Sequence, residues 1–253
     1  MGEKPTACED VKQNVQMPTV DAAESNRAEE LAEKARLRQT GKWDCSMEWH
    51  AGLRVVTVNV NSKGTLLRLL ASWGSQEQLY DIILVEEHHE SNKDKLAELH
   101  QQAAKWGWNS TWTPAVSKQE GTSAGTAVLW RIGIPMHAPV FQTGIVRAPG
   151  RSCVATLRWP KLKDIEFVAV YFETGGRVTE MNIQIMGDLG EWQATTGCLY
   201  WIGGDFNMSS DKLVELDWIK EMHGSLREGD RRIGTCTSAT PATSLDYHVV
   251  HKN

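Results

Sequence analysis

The sequence predicts an α/β fold in which two β-sheets stack with helices outside them. Short strand-like runs recur from Leu53 to Val250, and helical periodicities follow the runs at both ends of that span. Several strand runs come in direct succession in the middle. A simple doubly wound sheet alternates strand and helix throughout, so this order favours two stacked sheets.

From the N-terminus, residues 1–20 are polar and unpatterned, the composition of a disordered segment. Asp21 to Gln39 reads as a helix, with Asp21 and Glu24 in capping-box spacing and Lys34, Arg36 and Arg38 late. Its apolar stripe is mostly alanine, which suits a solvated appendage, with partner binding as the other use. Residues 1–40 thus form an extension and 41–253 the domain.

"LRVVTVNV" (53–60) is a strand, "TLLRLLASW" (65–73) a helix, and "DIILVEE" (81–87) an apolar strand ending in acids. "NKDKLAELHQQAAKW" (92–106) is helical, capped by Asn92, with Leu96, Leu99 and Ala103 on one face. "WNSTWT", "TAVLW", "CVATLRW" and "EFVAVYF" follow as strands. Residues 178–193 form a helix with Met181, Ile185, Leu189 and Trp192 inward. "CLYWIGGDFN" is a strand, "DKLVELDWIKEM" (211–222) one helix, and "LDYHVV" (245–250) a last strand.

Composition narrows the function classes. A hydrophobic fraction of 41% with 23% charged residues is that of a soluble globular protein. The net charge of −5 gives no global footprint of a nucleic-acid binder, although a locally basic cleft is compatible with it. Arg147, Arg151, Arg158, Lys161 and Lys163 form one basic cluster and Arg227, Arg231 and Arg232 another; both read as solvated faces. Five scattered cysteines argue against a disulfide framework or zinc site and point to a reducing, intracellular compartment, nucleus or cytoplasm. No apolar run approaches the roughly 18 residues of a membrane span. "MGEKPTACEDVKQ" lacks a signal-peptide apolar region, though Gly2 and Thr6 outline a myristoylation pattern.

Two motifs compete for attention and lose. Gly121 to Gly125 matches G-x-S-x-G, which would make Ser123 a hydrolase nucleophile. That elbow needs a strand before and a helix after it; here a polar loop precedes and a strand follows. "EEHHE" (86–90) has metal-ligating residue types, but neighbours on a strand face opposite ways. At most one of Glu86 and Glu87 is therefore expected to face the site, with His88 and His89 solvated.

What remains is a set of polar residues at strand ends. Asn59 and Asn61, Asp205 and Asn207, and Asp246 and His248 are each two apart and so share a face, while Glu87 and Tyr171 also end strands. Asn and Asp favour turns, so each alone has an ordinary explanation; their joint placement suggests a site.

The segments "TVNVNS", "DIILVEEHHE", "GTAVLWR", "VAVYF", "GGDFN" and "SLDYHVV", in this order, resemble the endonuclease/exonuclease/phosphatase family of metal-dependent phosphoesterases. The wording is closest to apurinic-type endonucleases and non-LTR retrotransposon endonucleases. The resemblance implies a four-layer α/β sandwich, with two mixed β-sheets packed face to face and helices outside. It implies Mg²⁺ or Mn²⁺ held by Glu87 with Asn59 and Asn61 nearby, and water attack on a nucleic-acid phosphodiester, DNA favoured over RNA. Asp205 would orient or deprotonate the water, Asn207 and Tyr171 would hold phosphate, and Asp246 would orient the family's histidine.

The match has departures. Asn61 replaces a frequent acid, Glu86 a usual amide, and Glu173-Thr174 the common Pro-Asn. The family's histidine triplet lies well beyond the position of Asp246, whereas this sequence ends at Asn253. The expectation is a C-terminally truncated or degenerate copy with weak or no activity, with His248 as a substitute base. A non-catalytic relic or binding domain of the same fold is the alternative.

Overall fold

The computed structural model describes residues 52–75, 80–119, 121–138, 147–158, 163–175, 178–228 and 245–252. The expected helix at Asp21 to Gln39 and the boundary near residue 40 lie outside them. Alternation in β1 (Val55–Asn59) sends Val56 and Val58 outward toward helices and Val55 toward the facing sheet. β2 (Ile82–Glu86) repeats the pattern, Ile83 and Val85 outward, Ile82 and Leu84 inward.

β1 and β2 run parallel, and β6 (Thr126–Arg131) joins them antiparallel to both β2 and β3 (Trp108–Thr113). The first sheet has the order β1-β2-β6-β3. α1 (Lys63–Ser75) and α2 (Lys93–Lys105) follow β1 and β2. Leu66 and Leu70 of α1 and Ala103 of α2 enter the outer core of this sheet. Asn92 caps α2 as expected, its side chain accepting from the amides of Asp94 and Lys95.

The second sheet holds β7 (Met136–His137), β8 (Ser152–Leu157), β9 (Ile165–Tyr171), β10 (Leu199–Asp205), β11 (Gly224–Arg227) and β12 (Asp246–His251), in the order β11-β12-β10-β9-β8-β7. β9 and β10 are parallel and the other pairs antiparallel. Its inner residues Cys153, Ala155, Leu157, Phe167 and Ala169 pack against Ile82, Leu84, Val128 and Trp130 of the first sheet. On its outer face Val168, Val170, Tyr200 and Ile202 meet Ile185, Leu189 and Trp192 of α3 (Glu180–Thr196). The result is four layers, α/β/β/α, as the sequence suggests.

Two differences from the sequence reading have local causes. The helix expected at 211–222 is two short ones, α4 (Ser210–Glu215) and α5 (Trp218–Glu221), because Asp217 takes a left-handed backbone with φ 56°. The break turns Trp218 into the core, where its Nε1–H donates to the Met186 carbonyl at 3.0 Å. The polar loop before β6 contains a small hairpin, β4 (Val116–Lys118) with β5 (Gly121–Ser123). Among the described residues no helix is long and apolar enough to cross a membrane.

Gly204 permits the tight β9–β10 pairing. A Cβ there would collide with the Val170 backbone carbonyl, so a side chain would force apart the two strands that carry Tyr171 and Asp205.

Candidate active site

Strand periodicity aims five polar side chains into one end of the space between the sheets. Thr57, Asn59 and Glu86 share the inward parity of Val55, Ile82 and Leu84 on the first sheet. Tyr171 and Asp205 share that of Phe167 and Ala169 on the second, where they pair with each other in register. β12 places Asp246 opposite Asp205.

Asp205 is the best-anchored carboxylate of the group. Asn59 Nδ2 donates to its Oδ2 at 3.2 Å and the Asn207 amide to its Oδ1 at 2.9 Å. Burial and the neighbouring Asp246 push its pKa from 3.8 up to about 6, against those two hydrogen bonds, which lower it. Asn59 also accepts from the Asn61 amide through Oδ1 at 3.2 Å, so it braces the strand end as well as Asp205. Asn61 itself lies exposed at the rim with φ 52°. Asn207 donates from Nδ2 to the Phe172 carbonyl at 2.9 Å, which ties the loop after β9 to the end of β10.

Both glutamates reach this region, a correction to the expectation that at most one could. Glu86 follows the inward parity of β2 and is completely buried, its Oε1 accepting from Thr57 Oγ1 at 2.8 Å. Burial holds its carboxyl well above the usual range, with smaller contributions from Asp246, Asp205 and Glu87. Glu87 lies just past the strand with φ 58°, so alternation no longer governs its direction. Its carboxylate takes a hydrogen bond from the Tyr171 hydroxyl, and burial with that bond raises the Tyr171 pKa.

The two histidines expected in solvent are not placed there. His88 is 1% exposed, with Nε2 donating to the Thr113 carbonyl and Nδ1 accepting from the Glu90 amide, both at 3.1 Å. Burial lowers its pKa to about 4, so it is neutral at physiological pH. Gly125 makes room for it: a Cβ there would stand 2.7 Å from the His88 ring. The small residues of G-T-S-A-G therefore serve packing; Ser123 ends β5 and β6 follows, with no helix to form an elbow. His89 is half-buried, its Nε2 3.4 Å from Glu87 Oε2.

His248 does not stand as a base at the site. It lies opposite Gly203, one step deeper than Asp246, and Nδ1 accepts from Trp201 Nε1–H at 2.9 Å. That bond occupies its lone pair, and burial lowers its pKa to about 4.

Asn182 was invisible in the sequence, since nothing distinguishes it from other polar residues of a first helical turn. It is fully buried and clamps the loop after Tyr171, accepting from the Glu173 amide at 2.7 Å and donating to the Glu173 carbonyl at 3.3 Å. Glu86 did carry a signal, its shared parity with Ile82 and Leu84.

Solved structures with this arrangement decide the fold. The fold is that of the endonuclease/exonuclease/phosphatase proteins. An AP endonuclease from Leishmania major matches with a TM-score of 0.57 at 14% identity over 79% of each chain. A family protein from Leptotrichia buccalis matches at 0.52 and 17% over 79% of this chain and 88% of the other. The human Nocturnin catalytic domain, with bound sulfate, matches at 0.54 and 14% over 79% and 82%. No family model matches the sequence, and no curated protein matches it. At these identities the likeness concerns the endonuclease/exonuclease/phosphatase fold.

The donor chemistry fits a hard cation. Glu87, Asp205 and Asp246 offer oxygen at the mouth of the site, and their mutual repulsion, felt by Asp205, is what a divalent ion would relieve. Among the described residues no three His, Cys, Asp or Glu side chains are grouped closely enough to hold an ion. The arrangement thus suits Mg²⁺ or Mn²⁺ held by one or two carboxylates with waters, not a caged zinc.

Proposed function

We propose that this chain is a divalent-metal-dependent phosphoesterase that hydrolyses nucleic-acid phosphodiesters by attack of water. The observation that carries the proposal is the convergence of Asn59, Glu87, Tyr171, Asp205 and Asp246 at one end of two facing sheets. Glu87 would hold Mg²⁺ or Mn²⁺ with Asn61 at the rim, and the bound ion supplies positive charge for the phosphoryl oxygens.

The chain's own groups account for the rest. A carboxyl with a pKa of about 6 is a competent acceptor for a water proton near neutrality, and Asp205 is held rigidly by two donors. Tyr171 orients Glu87 through its hydroxyl. Asn207 and Asn182 fix the loop beyond Tyr171, which borders the space a phosphate would take. DNA is the substrate class favoured by the G-D-F-N wording.

The test is hydrolysis of bis(p-nitrophenyl) phosphate and labelled oligonucleotides with Mg²⁺ or Mn²⁺. Activity is expected to fall at least about 100-fold in Asp205→Asn and Glu87→Gln. Absence of turnover by the wild type on every substrate would sink the proposal. A second reading, a relic or binding domain, is favoured by His248, whose acceptor nitrogen is occupied by Trp201. Calorimetric titration separates the two: Mg²⁺ or Mn²⁺ binding lost in Glu87→Gln supports a working site.

A further inference from the structure

Arg151 belongs to a basic cluster whose members read as solvated surface in the sequence. The structure separates it from its neighbours. Arg147 pairs with Asp188 at 3.4 Å and Glu191 at 2.7 Å, and Arg158 with Asp164 at 3.3 Å. Arg54 likewise pairs with Asp81 at 3.1 Å. Arg151 forms no ion pair among the described residues. Its guanidinium carbon instead lies 4.8 Å from the centroid of the Tyr171 ring, and Nη1 donates to the Tyr171 and Phe172 carbonyls at 3.5 and 3.3 Å.

These contacts fix the fork while using one of its three nitrogens. Nε and Nη2 make no hydrogen bond among the described residues, so the cation keeps donors to offer. Its charge is felt by Tyr171, whose hydroxyl engages Glu87 and whose ring also feels Asp205. A half-buried arginine without an acid partner, set against a ring in a carboxylate-rich site, is matched to a tetrahedral oxyanion rather than to structure. Stacking on Tyr171 pre-organises the fork, which reduces the entropy lost when it binds.

We propose that Arg151 is the phosphate-binding cation of this site, donating to a non-bridging oxygen of the substrate phosphoryl group while stacked on Tyr171. The inference rests on the phosphoesterase reading and assigns the residue that offsets the acids around an anionic substrate. It explains how Glu173, in place of an amide or proline, is tolerated: the lost polar contact has a charged substitute from β8's leading edge.

The experiment titrates inorganic phosphate into the full chain with Mg²⁺ and follows bis(p-nitrophenyl) phosphate hydrolysis in parallel. Arg151→Gln is expected to weaken phosphate binding by about tenfold or more, and Arg151→Lys by only about threefold, because charge persists without the fork. That pattern supports the assignment whether or not the diester is hydrolysed; missing turnover alone then counts against the phosphoesterase reading. Equal binding by wild type and Arg151→Gln overturns it, as does wild-type hydrolysis without any Arg151-dependent phosphate binding. Should Arg151→Gln fail to fold, phenylglyoxal labelling of the wild type decides: phosphate must protect Arg151 and not Arg54. Unprotected Arg151 overturns the proposal.

Discussion

Asp205→Asn tests whether the buried carboxylates repel one another as the structure requires. The rise of Asp205 from 3.8 to about 6 corresponds to about 3 kcal/mol against its charged form in the fold, at ~1.4 kcal/mol per pH unit. The folded pKa is the higher one, so the native state binds the proton more tightly. Below about pH 4 both states are protonated and the penalty is absent; it grows as pH rises and is complete above about pH 6. The variant never ionises, so its stability relative to wild type should climb by about 3 kcal/mol between about pH 4 and 7.5. A constant offset of about 1 kcal/mol works against it, because the new NH₂ cannot accept from both Asn59 and Asn207. Net, the variant should be about 1 kcal/mol weaker at the acid end and about 2 kcal/mol stronger at neutral pH. Urea unfolding in EDTA, followed by circular dichroism at both pH values, reads this directly. A stability difference that does not change with pH would refute the electrostatic account.

His88 and His248 act in the opposite sense. Their pKa values fall from 6.5 to about 4, so stability present above about pH 6.5 is lost as pH drops toward 4, by about 3 kcal/mol each. His248→Gln should flatten that acid limb, and an unchanged limb would contradict it. Asn182→Ala removes both bonds to Glu173, costing about 2 kcal/mol; hydrogen exchange at the Glu173 amide should accelerate, and unchanged protection would show the clamp is dispensable. Gly204→Ala drives a Cβ into the Val170 carbonyl and should cost about 3 kcal/mol or abolish soluble expression. A variant with native melting temperature would show that β9 and β10 can separate at little cost.

The sequence alone determined the layers and much of the strand-end set. Alternation at Val55 to Asn59, Ile82 to Glu86 and Ile165 to Tyr171 is a local property of the chain, and it dictates which side chains face the second sheet. Asn92 as a cap was legible for the same reason, since its partners are two and three residues away.

Only the tertiary structure decided what happens where that periodicity stops. Glu87 and Asp217 take positive φ, and direction after such a residue follows from packing rather than from spacing. His88 looked like a surface histidine because its pocket is made by Thr113 and by room left at Gly125, both distant in sequence. Arg151 shared a basic cluster with Arg147 and Arg158, and composition could not tell which of the three lacked an acid partner. His248 shares a face with Asp246 by spacing, yet Trp201 reaches its lone pair from the neighbouring strand. Spacing fixes the side of a strand on which a residue lies; what meets it there is set by segments the chain brings in from elsewhere.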